Sequence, residues 1–246
     1  MLQAFITGLL ATSSLIIGGI LAIRYSLSNR AIGIIMGFGA GTLISAISYE
    51  LIFEAVKLGR GTMYPAFGFF AGASIFYFSD KLIANFGTNN PMKLGQSKNS
   101  NLIIPMVLAI ILDGVPESII IGLGLFEGVS GNLTMLVAVF ISNLPEAIAG
   151  SSGMKSSGWS NKKIILLWIC IALLCALATL AGFSVFSSAS QEWLSFIQAF
   201  AGGAILMMLA NSMIPEAYEH GGKLAGVFTV FGFFFSVCIV VFENFH

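Results

Sequence analysis

The sequence predicts an all-α membrane protein of eight transmembrane helices, and three observations carry that prediction. Of the 246 residues, 57% are hydrophobic and only 9% are charged, whereas a soluble domain carries about 25% charge. Apolar stretches close to the ~20 residues needed to cross a bilayer recur along nearly the whole chain. Those stretches are continuously apolar instead of alternating in ~10-residue units, which argues against a transmembrane barrel. The chain therefore reads as a single transmembrane domain over residues 1–246.

Glycine, proline and charge punctuation divide it into spans at 3–23, 31–54, 64–86, 102–126, 133–154, 163–187, 194–217 and 224–243. The chain opens Met-Leu-Gln-Ala-Phe, without the basic segment of a signal peptide, so the first span begins directly. The second carries Gly37, Gly39 and Gly41, and the seventh Gly202 and Gly203, small residues that let backbones approach closely. The long connection 87–101, Gly-Thr-Asn-Asn-Pro-Met-Lys-Leu-Gly-Gln-Ser-Lys-Asn-Ser-Asn, is polar and follows the third span. The fourth and fifth spans each hold a central proline, Pro116 and Pro145. Cys170, Cys175 and Cys238 lie in apolar runs without metal-type spacing and read as small core residues.

Basic residues give the orientation. Arg24, Arg30, Lys81, Lys93, Lys98, Lys155, Lys162, Lys163 and Lys223 follow odd-numbered spans, against Lys57 and Arg60 on the opposite side. The positive-inside rule then places both termini outside the cytoplasm. Net charge is zero with no basic tract, so nucleic acid is not an expected partner. The expected partner is the lipid bilayer, and the location that of an integral protein of the cell (inner) membrane.

The chain also repeats itself. Segment 37–55 aligns without gaps to 199–217, with Phe, Gly, Ile, Glu and Ala matched. In the eight-span topology these are spans two and seven, which cross in opposite directions. That is the pattern of an inverted repeat, flanking spans four and five as the interrupted helices of a transporter would be flanked.

Spans four and five carry the chemistry. Leu112-Asp113-Gly114-Val115-Pro116-Glu117-Ser118 puts Asp113 and Glu117 on one helix face at i and i+4. Ile141-Ser142-Asn143-Leu144-Pro145-Glu146-Ala147 gives Ser142 and Glu146 the same spacing, with Asn143 beside them. Each proline removes a backbone hydrogen bond and frees a carbonyl, that of Leu112 or Ile141. A charge at bilayer depth costs at least ~2.5–3.5 kcal/mol, so it faces a cavity, a partner or a bound ion. If the two faces meet, three carboxylates, a hydroxyl, an amide and two carbonyls surround one volume. Three carboxylates in low dielectric repel, and without protonation only a cation relieves them. The plainer readings are a protonated carboxyl pinning two helices together, and a Ser142 hydroxyl bonded back to its own helix.

These segments resemble the paired motifs of the ZIP (Zrt/Irt-like) divalent metal transporters, His-Asn-x-Pro-Glu-Gly and His-x-x-Pro-Glu-Gly in the fourth and fifth spans. The likeness extends to eight spans in a 3+2+3 arrangement, both termini outside, and Gly-rich second and seventh spans, the seventh ending in Pro-Glu-Ala. By position it makes Glu117 and Glu146 the motif glutamates, Asp113 and Ser142 the residues standing where the histidines would be, and Asn143 a further polar ligand. It implies a divalent metal ion of the zinc, manganese or iron class as substrate, no organic cofactor, import toward the cytoplasm, and a homodimer. The spans one-to-three and six-to-eight would rock against four and five. Both histidines are absent here, Gly114, Ser118 and Ala147 depart from the motifs, and the sixth span has no acid. Carboxylate, carbonyl and water ligands suit harder ions such as manganese, whereas imidazole suits zinc.

Three rivals differ in class. A membrane-embedded hydrolase would need His-Glu-x-x-His, paired aspartates or a serine with a base, and none is present, so the chain is not expected to be an enzyme. A metal sensor or non-transporting relative would keep binding and lose flux. A carrier of another cation, or a proton-coupled carrier, would share the architecture.

Overall fold

Inside a bilayer no water is available to backbone amides, so a spanning segment must pair its own N–H and C=O groups. In a computed structural model, which describes residues 1–85, 103–127, 132–185 and 189–245, every regular element among the described residues is accordingly a helix. In chain order these are α1 (Leu2–Arg24), α2 (Asn29–Ala46), α3 (Phe53–Gly59), α4 (Tyr64–Asn85), α5 (Ile103–Glu127), α6 (Asn132–Ser156), α7 (Asn161–Val185), α8 (Gln191–Met208), α9 (Ile214–Gly221) and α10 (Lys223–Phe245). The polar connection 87–101 lies outside the described residues, as do the outermost positions of the predicted third, fourth and sixth spans.

Seven of the described helical rods are long and apolar enough to cross a membrane, and the protein is an integral membrane protein. They are α1, the rod Asn29–Gly59, α5, α6, α7, the rod Gln191–Gly221, and α10. The predicted third span, α4, is not in that set: Asp80, Lys81 and Pro65 dilute its apolar character.

The expectation of interrupted helices at spans four and five is overturned. α5 and α6 run unbroken through Pro116 and Pro145. Proline's fixed φ fits a helix, and the freed carbonyl can be satisfied by neighbouring groups in a membrane bundle. The departures from α geometry lie instead in the second and seventh predicted spans. A π-helical segment, Ile47–Ile52, joins α2 to α3, and another, Leu209–Met213, joins α8 to α9. Aligning 37–55 with 199–217 superposes these two π segments, a local distortion repeated at matching positions.

The same alignment is written into the packing. A Cβ on Gly41 would overlap the Thr229 carbonyl of α10, and one on the matching Gly203 would overlap the Phe69 carbonyl of α4. The Phe38 carbonyl is met by Gly232, and the matching Phe200 carbonyl by Gly72. Thus α2 lies along α10 as α8 lies along α4. Gly68 meets Phe196 and Gly72 meets Phe200, so α4 and α8 advance in the same direction. By contrast Gly8 meets Thr179 while Gly19 meets Trp168, which makes α1 and α7 antiparallel. The starts of α2 and α7 and the end of α1 therefore gather at one end of the bundle, with Arg24, Arg30, Lys162 and Lys163.

Packing sorts the helices into two groups. α1, α5, α6 and α7 enclose one core of Leu15, Ile110, Ala147, Met154, Ile164, Trp168 and Cys175. Within it the buried Trp168 indole donates to the Ser151 hydroxyl at 2.7 Å. α2, α3, α4, α8, α9 and α10 form the other group, where Ser195 donates to the Ala55 carbonyl at 2.7 Å. Within the first group, α1 packs on α6 and α7, and α7 packs on α5. The groups meet chiefly where α2 crosses α6, with a Cβ on Gly39 lying 3.1 Å from Cα of Ser142. Glu243 of α10 ties them at one edge: its carboxylate accepts from the Leu133 amide at 3.0 Å and from the Thr134 hydroxyl, in the first turn of α6.

Bilayer helices associate through close packing and not through a hydrophobic drive, so the glycine contacts are where stability is concentrated. Gly72→Ala is expected to destabilise the protein by about 1–3 kcal/mol through overpacking. Gly153→Ala, with open space around it in α6, is expected to be neutral or stabilising by up to about 1 kcal/mol. Thermal unfolding of both variants in detergent micelles checks the contrast.

Candidate functional site

Asp113 and Glu117 lie mid-way along α5, and Ser142, Asn143 and Glu146 mid-way along α6; all five are buried. Continuous helix through each proline keeps the i, i+4 spacing intact, so each pair shares a face as its sequence dictates. Glu117 lies within electrostatic reach of both Glu146 and Asp113, and Asp113 of Glu146. The three carboxylates therefore belong to one field across the α5–α6 seam.

Their hydrogen bonding is incomplete. One oxygen of Glu117, one of Glu146 and the amide nitrogen of Asn143 are buried without a hydrogen-bond partner among the described residues. Each such group keeps a desolvation cost of about 1–3 kcal/mol, more if charged. The Ser142 hydroxyl donates to the Val139 carbonyl at 3.1 Å, as the plainer reading anticipated. Its oxygen lone pairs stay available, but its proton is spent on its own helix. Ser118, in the glycine position of the first motif, likewise donates back to Gly114 at 2.7 Å.

The carboxylates do not form a ready cage. Among the described residues, no three His, Cys, Asp or Glu side chains converge closely enough to hold a metal ion. The α5–α6 contact is looser than those that α1 makes with α6 or α7 makes with α5. What the arrangement offers is a set of buried oxygen donors in an apolar bundle, carried on two helices whose mutual contact is loose.

Two neighbours escaped the sequence reading. Asp80 of α4 lies within electrostatic reach of Asp113 and extends the acidic line into the other helix group. An aspartate inside a predicted span is a signal in its own right. Cys175 of α7 is buried against the α5 motif: a Cβ on Gly114 would lie 3.2 Å from its Sγ, and its thiol contacts Ser118 and lies near Glu117. Spacing alone read this thiol as core packing, because its partners are more than fifty positions away.

Outlying acids fall elsewhere. Glu54 is paired with Lys57 at 2.6 Å, and that ammonium also sits 4.4 Å from the Phe53 ring centre. Glu50, in the first π segment, lies near Glu243 and Glu54. Glu216 is buried in α9, the counterpart of Glu54 in the repeat, while Glu219 is exposed. The backbone beside His220 packs onto Gly33.

No family model matches the chain. A protein of Arabidopsis thaliana named "Putative zinc transporter" is 23% identical over 216 residues, covering 87% of this chain and 34% of that protein. The chain thus spans about a third of the length of this relative. The aligned region takes in most of the described helices.

Substitution at the cysteines checks the α5–α7 arrangement. Cys170 and Cys238, read from the sequence as core residues, face outward from the bundle, and Cys175 is buried. Cys175→Leu, which sets a larger side chain against Gly114 and Ser118, is expected to lower stability by about 1–3 kcal/mol through overpacking, and Cys170→Leu to change it by less than about 0.5 kcal/mol, as read by thermal unfolding in micelles.

Proposed function

We propose that this chain is a ZIP-like divalent cation transporter of eight spans that carries a transition-metal ion toward the cytoplasm through the seam between α5 and α6. The observation that carries the proposal is the buried line of Asp113, Glu117 and Glu146, with the Asn143 amide, set on two proline-bearing helices in an apolar bundle. No cation side chain of the described residues pairs with these carboxylates. A divalent substrate supplies the missing counter-charge. The likeness to a plant protein named as a zinc transporter supports the metal class.

In this reading Glu117 and Glu146 bind the ion from facing helices. Asp113 and the oxygens of Ser142 and Asn143 replace part of its hydration. α4, the third span, completes the set of eight: it lies along the length of α8, glycine on carbonyl, in the same direction. Its Asp80 extends the acidic line beyond Asp113. The moving parts follow the packing, with α1, α5, α6 and α7 shifting as a group against the rest. Small residues at Gly39 and Ser142 line the seam on which they slide. No organic cofactor and no covalent chemistry enter the cycle, and the chain is a carrier and not an enzyme. Both termini lie outside, on the basic-residue bias.

An oxygen-dominated donor set without imidazole favours manganese-like ions over zinc. The named relative points the other way, and Cys175, beside Glu117, is a soft donor near the seam. A second reading, a metal sensor on the same scaffold, keeps the binding residues and differs only in flux.

Two measurements test this. In proteoliposomes of the full chain, uptake of divalent metal is expected to saturate and to fall at least about tenfold in Glu146→Ala, the scale of losing a contact to the metal. Metal binding without uptake in the wild-type chain would favour the sensor. In competition uptake, manganese is expected to displace tracer at lower concentration than zinc or cadmium. Far tighter displacement by zinc would sink the hard-ion reading while leaving transport intact.

A further inference from the structure

A cavity of about 560 Å³ opens where α1 ends, α2 begins and α6 ends, lined by Arg24, Lys155, Ser26 and Asn29 above an apolar floor that includes the buried Ala22 and Ile32. Its volume lies within the ~300–1,000 Å³ of ligand-sized pockets. It is remote from the acidic seam, at the end of the bundle where basic residues gather.

Its charge excludes the cation proposed as substrate. Neither Arg24 nor Lys155 pairs with a carboxylate among the described residues. Lys155 is held in place by donating one hydrogen bond to the Ile23 carbonyl at 3.0 Å. An ammonium has three donors, so two remain for a ligand. The plain alternative is that both cations only complement helix C-termini. Two C-termini, those of α1 and α6, offset about one unit of charge between them, and the N-terminus of α2 restores about half. A positive surplus remains. At that N-terminus the Ser28 hydroxyl takes the Ala31 amide at 3.2 Å. The amides of Asn29 and Arg30 have no intrahelical partner.

We infer that this cavity binds a phosphate-bearing anion, held by Arg24, Lys155 and the first amides of α2, with the apolar floor taking the adjoining part of an amphiphile. The shared chemistry is a phosphate monoanion or diester; a lipid headgroup and a soluble phosphate are its two sources. Basic pockets between helices at the membrane surface take anionic headgroups in this way. The position adds a consequence. α1 and α6 belong to one helix group and α2 to the other, so a bound anion bridges the groups at the short 25–28 link between α1 and α2.

The test is native mass spectrometry of the full chain in detergent micelles, titrated with phosphatidylglycerol or with phosphatidylcholine of the same acyl chains. Wild type is expected to retain phosphatidylglycerol preferentially. Arg24→Gln with Lys155→Gln is expected to weaken that retention about 25-fold, near fivefold for each charge. Lys155→Arg should keep it. Lys162→Gln with Lys223→Gln, which removes two charges from the same end outside the cavity, should change it less than about twofold. Displacement of the lipid by inorganic phosphate at millimolar concentration assigns the site to soluble phosphate; displacement only by more phosphatidylglycerol assigns it to lipid. The inference is overturned if the Arg24/Lys155 variant binds like wild type, if the Lys162/Lys223 variant loses as much, or if neither probe binds.

Discussion

Helices in a bilayer are held together by how closely their backbones can approach, because lipid gives apolar side chains no reason to prefer one another. In this protein that approach is made by glycine against carbonyl. Gly41, Gly203, Gly72 and Gly232 each occupy a place where a Cβ would overlap a backbone oxygen of the facing helix. These contacts set the pairing of α2 with α10 and of α4 with α8. Beside those pairs, α1 and α7 pack around α5 and α6, with Gly8 of α1 against Thr179 of α7 and Gly182 of α7 against Ile119 of α5.

The buried carboxylates are placed by that scaffold and stand at odds with it. Asp113, Glu117 and Glu146 are held in low dielectric, near one another and incompletely hydrogen-bonded. In the proposed function the counter-charge for this cluster is an ion from outside the chain, since no cationic side chain of the described residues pairs with these carboxylates. The loose α5–α6 seam and the two π segments are then of a piece. π turns leave a helix locally over-wide and often lie at working sites, and here they sit in the helices against which the α5–α6 group would have to move.

Charge is divided between two regions. Acids line the seam through the middle of the bundle, while Arg24, Lys155 and the start of α2 form a positive cavity at one end. In the two proposals the first region takes a cation and the second an anion. Glu243, capping the first turn of α6 from α10, and the cavity, bridging α1 and α6 to α2, are both contacts between the same two helix groups. Whatever alters either contact acts on the relation between the groups.

Much of this was legible in the residues alone. Apolar runs of spanning length, the basic-residue bias, the two Pro-Glu turns with their i, i+4 partners, and the 37–55 to 199–217 repeat all depend on local composition and spacing. Helical geometry turns spacing directly into faces. The reading went wrong where proline was taken to interrupt α5 and α6, because whether a freed carbonyl breaks a helix depends on what surrounds it. Three things were decided only in the folded bundle: that α1 and α7 side with α5 and α6, that Asp80 and Cys175 approach the motif, and that Arg24 and Lys155 share a cavity. Each brings together residues from helices far apart in the chain. No local periodicity encodes such a distance; it is set by which glycine meets which carbonyl.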